Sequence, residues 1–126
     1  MWKYCCYDDG GKPNLWQRWH DSNPDAHGSH ESVFSGLETM VNWKKPWTRF
    51  FDKKNRIIEV RLSADVEWRI WGFYSGAQRE FVVLEIGFHK DGVWTPHGIK
   101  KTLVVRKTEV ENNPAKAPPC DRPKRT

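Results

Sequence analysis

The sequence predicts an α+β fold, with an N-terminal strand and two helices followed by a three-stranded antiparallel meander and a C-terminal helix. Three observations predict it. The runs Arg56–Ser63, Val66–Tyr74 and Phe81–Phe88 are short, rich in Ile, Val, Trp, Phe and Tyr, and separated by turn residues, the pattern of a pleated antiparallel sheet. Upstream of them, Leu15, Trp16 and Trp19, and then Ala26, Val33, Phe34, Leu37, Met40 and Val41, recur at helical spacing. Downstream, Ile99, Leu103 and Val110 form a third inward stripe.

Taken in order, Trp2 to Tyr7 reads as a strand that ends at the turn signal Asp8-Asp9-Gly10-Gly11. Lys12 to His20 fits a short helix. Ser22-Asn23-Pro24-Asp25 then supplies a cap and a proline for the first turn of the longer helix, which Gly28 and Gly36 weaken. Lys44 to Asn55 carries Lys44-Lys45 and Lys53-Lys54 around Pro46, Trp47, Arg49, Phe50 and Phe51, and reads as an ordered connector into the sheet. Thr95-Pro96 looks like a cap and first residue of the last helix, although the β-branched run around Val104 and Val105 works against it. From Asn113 onward four prolines, with Lys, Arg and Cys120, replace any core pattern. Residues 1–112 are therefore expected to fold and residues 113–126 to form a disordered basic tail.

Within the meander, a three-residue loop at Ala64 to Val66 would set Leu62 opposite Trp68, Val60 opposite Ile70, and Arg61 opposite Arg69. Facing like charges destabilise a sheet unless an anion sits between them, so Arg61 and Arg69 form a candidate phosphate site. A three-residue loop at Gly76 to Gln78 would instead place Glu85 opposite Arg69, making that arginine half of a cross-strand ion pair. Both readings stay open at the level of sequence.

A chain of 126 residues is one domain, and its hydrophobic content of 37% is low, but eight tryptophans imply an aromatic core. A net charge of +5 and a pI near 9.2 favour an acidic or nucleic-acid partner. No run is apolar enough for a membrane span, and the N-terminus lacks the long apolar centre of a secretory signal, so a cytoplasmic protein with no membrane partner is expected. Cys5 and Cys6 are adjacent and point to opposite faces of a strand, while Cys120 lies in the polar tail, so no disulfide framework is expected. His20, His27 and His30 fall near Asp21 and Asp25 without any metal-ligand spacing, and read as solvated loop and helix-start residues.

The combination of Tyr4, Tyr7-Asp8, Pro13 and Trp16 with Glu59-Val60-Arg61-Leu62, Trp68-Arg69-Ile70-Trp71-Gly72-Phe73-Tyr74, Gly87-Phe88-His89-Lys90 and Thr95-Pro96 resembles the RelE/ParE superfamily of bacterial toxins, nearest its phage-derived, HigB-like branch. The similarity runs over nearly all of residues 2 to 112. It implies a twisted sheet with helices on one side and a basic concave surface on the other. It also implies a toxin of a type II toxin–antitoxin system, neutralised by a cognate antitoxin of helix-turn-helix type, that cleaves mRNA on the ribosome. The reaction needs no metal or cofactor, because the ribose 2′-hydroxyl attacks the adjacent phosphorus.

Carried over by position, the resemblance makes Arg69 the main phosphate clamp, with Arg61 and Lys90 completing the charge and His89 as proton-transfer group. Tyr74 and His97 are reserves for base stacking or proton transfer. Trp71 is either packing on the second face or a base platform. The Lys53-Lys54 and Lys100-Lys101 pairs are either solvated faces or RNA-docking contacts. Two other functions fit the same scaffold: a ParE-like topoisomerase inhibitor, and a non-catalytic RNA- or protein-binding domain.

Overall fold

The first helix of the chain starts where Asn14 can cap it. In the computed structural model, which describes residues 1–63 and 65–124, β1 (Lys3–Cys6) leads through the glycine turn to α1 (Leu15–Ser22), whose Gln17 amide donates to the Asn14 side chain at 3.0 Å. A single 3-10 turn at Pro24–Ala26 enters α2 (His27–Leu37), which buries His30, Val33, Phe34 and Leu37 along one stripe. The strands β2 (Thr48–Asp52), β3 (Ile57–Arg61), β4 (Trp68–Tyr74), β5 (Glu80–Lys90) and β6 (Val93–Thr95) follow, then α3 (Ile99–Asn112) and the short β7 (Pro119–Cys120).

The expected meander is present as β3-β4-β5, but it lies inside a seven-stranded sheet ordered β2-β3-β4-β5-β1-β7, with β6 on β5. All pairings are antiparallel except that of β1 with β5. The connector around Phe50 thus contains a strand. Asp91 and Gly92 both adopt positive φ (52° and 77°), the geometry of a two-residue hairpin turn, and bring Val93 back against Lys90.

Alternate residues of β4 mark the two faces of the sheet. Trp68 meets Trp19 of α1 with ring centroids 5.6 Å apart, and Tyr4, Trp16, Phe34 and Phe81 pack on that side into the aromatic core. Phe73 points the other way, with the Lys107 ammonium of α3 5.2 Å from its ring. Helices therefore cover both faces, whereas the resemblance implied one. The arginine-bearing end of the second face lies beyond α3, and the candidate site is there.

Several expectations are corrected. The described part of the tail is folded onto the sheet: β7 pairs with β1, setting Cys120 against Tyr4, and Pro119, which has no N–H to offer, sits in this outermost strand. Cys6 and Cys120 form a disulfide with Cα atoms 5.8 Å apart, leaving Cys5 as the free thiol among the described residues. Arg122 then reaches α2, with Nη1 2.7 Å from Glu31 and Nη2 2.8 Å from Glu38. The last helix starts at Ile99 behind Gly98 (φ 72°), three residues later than Thr95-Pro96 suggested. His20 and His30 are buried rather than solvated: the His30 ring accepts a hydrogen bond from the Trp16 indole at 3.0 Å, and His20 stacks on His27 at 3.7 Å. Ala64, part of the expected β3–β4 loop, and the last two residues of the tail lie outside the described residues. Among the described residues no helix is long and apolar enough to cross a membrane.

Candidate RNA-binding site

The β3–β4 register sets Val60 opposite Ile70 and Arg61 opposite Arg69, as the loop length implied. One position further along the same face, Glu59 stands between Arg49 of β2 and Trp71 of β4. Strand alternation thus gathers three guanidinium groups around a single carboxylate. Glu59 is fully buried, and its Oε2 lies 2.9 Å from Arg49 Nε, 3.7 Å from Arg69 Nε and 3.8 Å from Arg61 Nε; its Oε1 accepts from the Trp71 indole at 3.4 Å. Three positive charges against Glu59 leave +2, and Glu67, which also acts on Arg69, reduces the excess to +1.

The three arginines are not equivalent. The side chains of Arg49 and Arg61 are 46% and 39% exposed, while that of Arg69 is 5% exposed. Arg69 donates Nη1–H to the Trp68 carbonyl at 2.9 Å, and its Nε has no hydrogen-bond partner. Burial pulls the Arg69 guanidinium below its ordinary pKa; Glu59 opposes that shift, and Arg61 adds to it. An arginine stays charged through such a shift, so the buried cation is a standing demand for an anion.

Glu85 does not pair with Arg69. The β4–β5 turn is longer than three residues, and an irregularity after Trp71 adds a further step, so Gly87 faces Arg69 and Glu85 faces Trp71. Glu85 instead accepts from Arg106 of α3 at 3.1 Å. With no side chain at Gly87, the Trp71 ring and Thr95-Pro96 close directly over it: a Cβ there would collide with the Thr95 carbonyl and meet Pro96 Cδ and the Trp71 ring at 2.8 Å.

The remaining expected residues divide into three places. His89 lies on the Arg69 face, two positions beyond Gly87, with its ring 4.4 Å from that of Trp94. Lys90 does not complete the charge as expected: β5 continues through it, so it points to the other face from His89 and is exposed. Trp71 is not a base platform, because it is fully buried against Phe51 and Trp94. Tyr74 faces the aromatic-core side, away from the arginines, and packs on Trp43 and Phe81; burial pushes its phenol up to about 12. It lines a separate hollow of about 1250 Å³ together with Lys53 and Lys54. His97, Lys100 and Lys101 line another, of about 810 Å³, which Arg49 also borders.

Sequence reasoning missed Glu59 as the hub and Arg49 as the third cation. The signal for Glu59 was its two-residue spacing from Arg61 on one strand; Arg49 was hidden because its segment did not read as a strand. Arg61 and Arg69 also border a hollow of about 540 Å³ with the α2 hydroxyls of Ser29 and Ser32 and with Glu67. Among the described residues no group of three or more His, Cys, Asp or Glu could hold a metal ion. Guanidinium groups of this kind bind phosphate or carboxylate oxygens. No protein-family model, curated protein or solved structure matches the chain.

Proposed function

We propose that this protein acts on RNA, holding backbone phosphate with Arg49, Arg61 and Arg69, and that its activity is that of a RelE/HigB-type toxin cleaving mRNA on the ribosome. The observation that carries this reading is the direct opposition of Arg61 and Arg69, with Arg69 buried and short of hydrogen-bond acceptors. The succession of strand, two helices, meander and helix supports the RelE-like scaffold, with β2, β6 and β7 as additions to it. In the reaction, the 2′-oxygen bonds to phosphorus as its proton departs, the phosphorus–O5′ bond breaks, and O5′ takes up a proton, leaving a 2′,3′-cyclic phosphate and a 5′-hydroxyl. The arginines stabilise the phosphorane charge, and His89 on the same face is the candidate proton carrier. A cognate antitoxin is the expected protein partner. Action in the cytoplasm requires the fold to persist when Cys6 and Cys120 are reduced.

A second reading, RNA binding without cleavage, is favoured by Glu59, whose carboxylate lies within 3.8 Å of all three guanidinium groups, and by the remoteness of Lys90 and Tyr74 from them. Primer extension on cellular mRNA after induction separates the two. Codon-positioned cuts with the wild-type chain that disappear in Arg61→Ala support the toxin reading. Unchanged cuts in that variant remove the arginine pair from the mechanism, and absence of cuts with retained RNA affinity leaves the binding domain.

A further inference from the structure

A hollow of about 810 Å³ lies where β2, the β5–β6 hairpin and the start of α3 come together. Arg49, Lys100 and Lys101 supply three cations to it, His97 a fourth polar group, and Phe50 and Trp94 its aromatic surface; none of the lining residues is acidic. Phe50 leaves half of its surface in solvent, whereas Trp94 is fixed from behind by Phe51 and Trp71. Two acids adjoin the lining in sequence: Asp52, which is engaged by Asn55 at 2.7 Å and also feels Lys100, and Asp91, which precedes Gly92 in the hairpin turn. Arg49 belongs both to this hollow and to the Glu59 cluster, so the two are joined through one side chain.

We propose that this hollow is a nucleotide subsite that takes an unpaired base of single-stranded RNA. The inference rests on the RNA reading of the arginine cluster and adds a selection for single strands. Aromatic faces hold bases of any identity by stacking, and flanking cations hold the phosphates on either side. In a duplex the faces of the bases are already stacked on one another, so only a splayed nucleotide presents one to Phe50. Phe50 also borders the hollow beside Tyr74, but there Glu80 and Glu111 take part, whereas the hollow it shares with Trp94, Lys100 and Lys101 has no acidic lining.

The test is fluorescence anisotropy with three labelled probes: a single-stranded decaribonucleotide, the same strand in a duplex, and an abasic ribose-phosphate strand of equal length. Wild type is expected to bind the single strand at least about tenfold more tightly than either control. Phe50→Ala, at a half-exposed position, should lose about tenfold on the single strand and nothing on the abasic strand. Lys100→Gln with Lys101→Gln should weaken both single-stranded probes. Equal affinity for duplex and single strand, or an unchanged preference in Phe50→Ala, overturns the subsite. Arg61→Gln reports on the cluster separately: if it alone weakens binding, the cluster stands and the subsite falls. If only Phe50→Ala and the lysine variant weaken binding, the subsite stands and the cluster falls.

Discussion

Arg61 and Arg69 face each other across the β3–β4 ladder, and both guanidinium groups come within 3.8 Å of the same carboxylate, that of Glu59. A pair of facing cations is tolerated here because one buried anion, one position along, serves them and Arg49 together. The arrangement keeps a buried arginine in place while leaving an excess of positive charge on the outward side. It also makes Glu59 the residue on which the site's geometry depends.

Glu59→Gln should therefore act in two opposite directions. Removing the charge leaves Arg69 buried without its ionic partner and should lower stability by about 3 kcal/mol, read as a shift in the urea midpoint. The surviving folded protein should bind RNA more tightly than wild type, since the arginines no longer share an internal anion. Unchanged stability would mean that the three ion pairs to Glu59 carry little.

Gly87→Ala should be among the more damaging single-methyl changes. The new Cβ meets the Thr95 carbonyl, which is backbone and cannot rotate away, as well as Pro96 and Trp71. A loss of about 2 kcal/mol is expected from overpacking, measured by thermal or chemical denaturation. A neutral outcome would show that the segment leading into α3 does not lie over β5.

The C-terminal strap offers a third test. The Cys6–Cys120 bond joins positions 114 apart, and closing a loop of about that length restricts the unfolded chain by about 5 kcal/mol. Cys120→Ser, or reduction by a dithiol, should lower stability by up to that amount, while Cys5→Ser should leave the urea midpoint where it was. Amide exchange should show β7 released first, and Arg122→Ala, which abandons Glu31 and Glu38, should release it even with the disulfide intact. Equal midpoints for the oxidised and reduced chain would contradict this role.

The buried histidines give a pH dependence with a definite sign. Burial lowers the His30 pKa from 6.5 to about 3, and burial, with His27 next, also lowers that of His20. Below pH 6.5 the unfolded chain takes up protons that the folded chain refuses, so stability falls as pH falls, by up to about 1.4 kcal/mol per pH unit for His30, with His20 acting in the same direction. The carboxylates of Asp9 and Glu31, held low by Arg18 and Arg122, contribute only further down, below about pH 4.5. Denaturation midpoints between pH 6 and 4.5 should therefore report the histidines, and His30→Gln, which keeps an acceptor for Trp16, should flatten the slope. A slope identical to wild type would mean that His30 is protonated in the folded chain.

Much of this fold was legible because it is written in local periodicity. The aromatic runs at Val60, Trp68 and Phe81 specify strands, the Leu15-Trp16-Trp19 spacing specifies α1, and one turn length brought Arg61 to Arg69. What escaped depends on distant partners. The strand at Phe50 exists because β3 offers it an edge; the strand at Pro119 exists because β1 does, and a disulfide across nearly the whole chain has no local signature. The Glu85 register was misplaced because an irregularity after Trp71 leaves no mark in composition. The site was therefore half legible: its facing arginines could be found by counting along two strands, while its carboxylate hub needed the burial of Glu59 to be known.

The most direct measurement is the salt dependence of single-stranded RNA affinity in wild type and in Arg61→Gln, at a position exposed enough to change without unfolding the chain. If the facing arginines hold phosphate, affinity should fall steeply with salt in wild type, and the logarithmic slope should shrink by about 0.7 for each phosphate that the variant no longer neutralises. Identical slopes and affinities in the two proteins would place RNA, if it binds at all, somewhere other than the Arg61–Arg69 face.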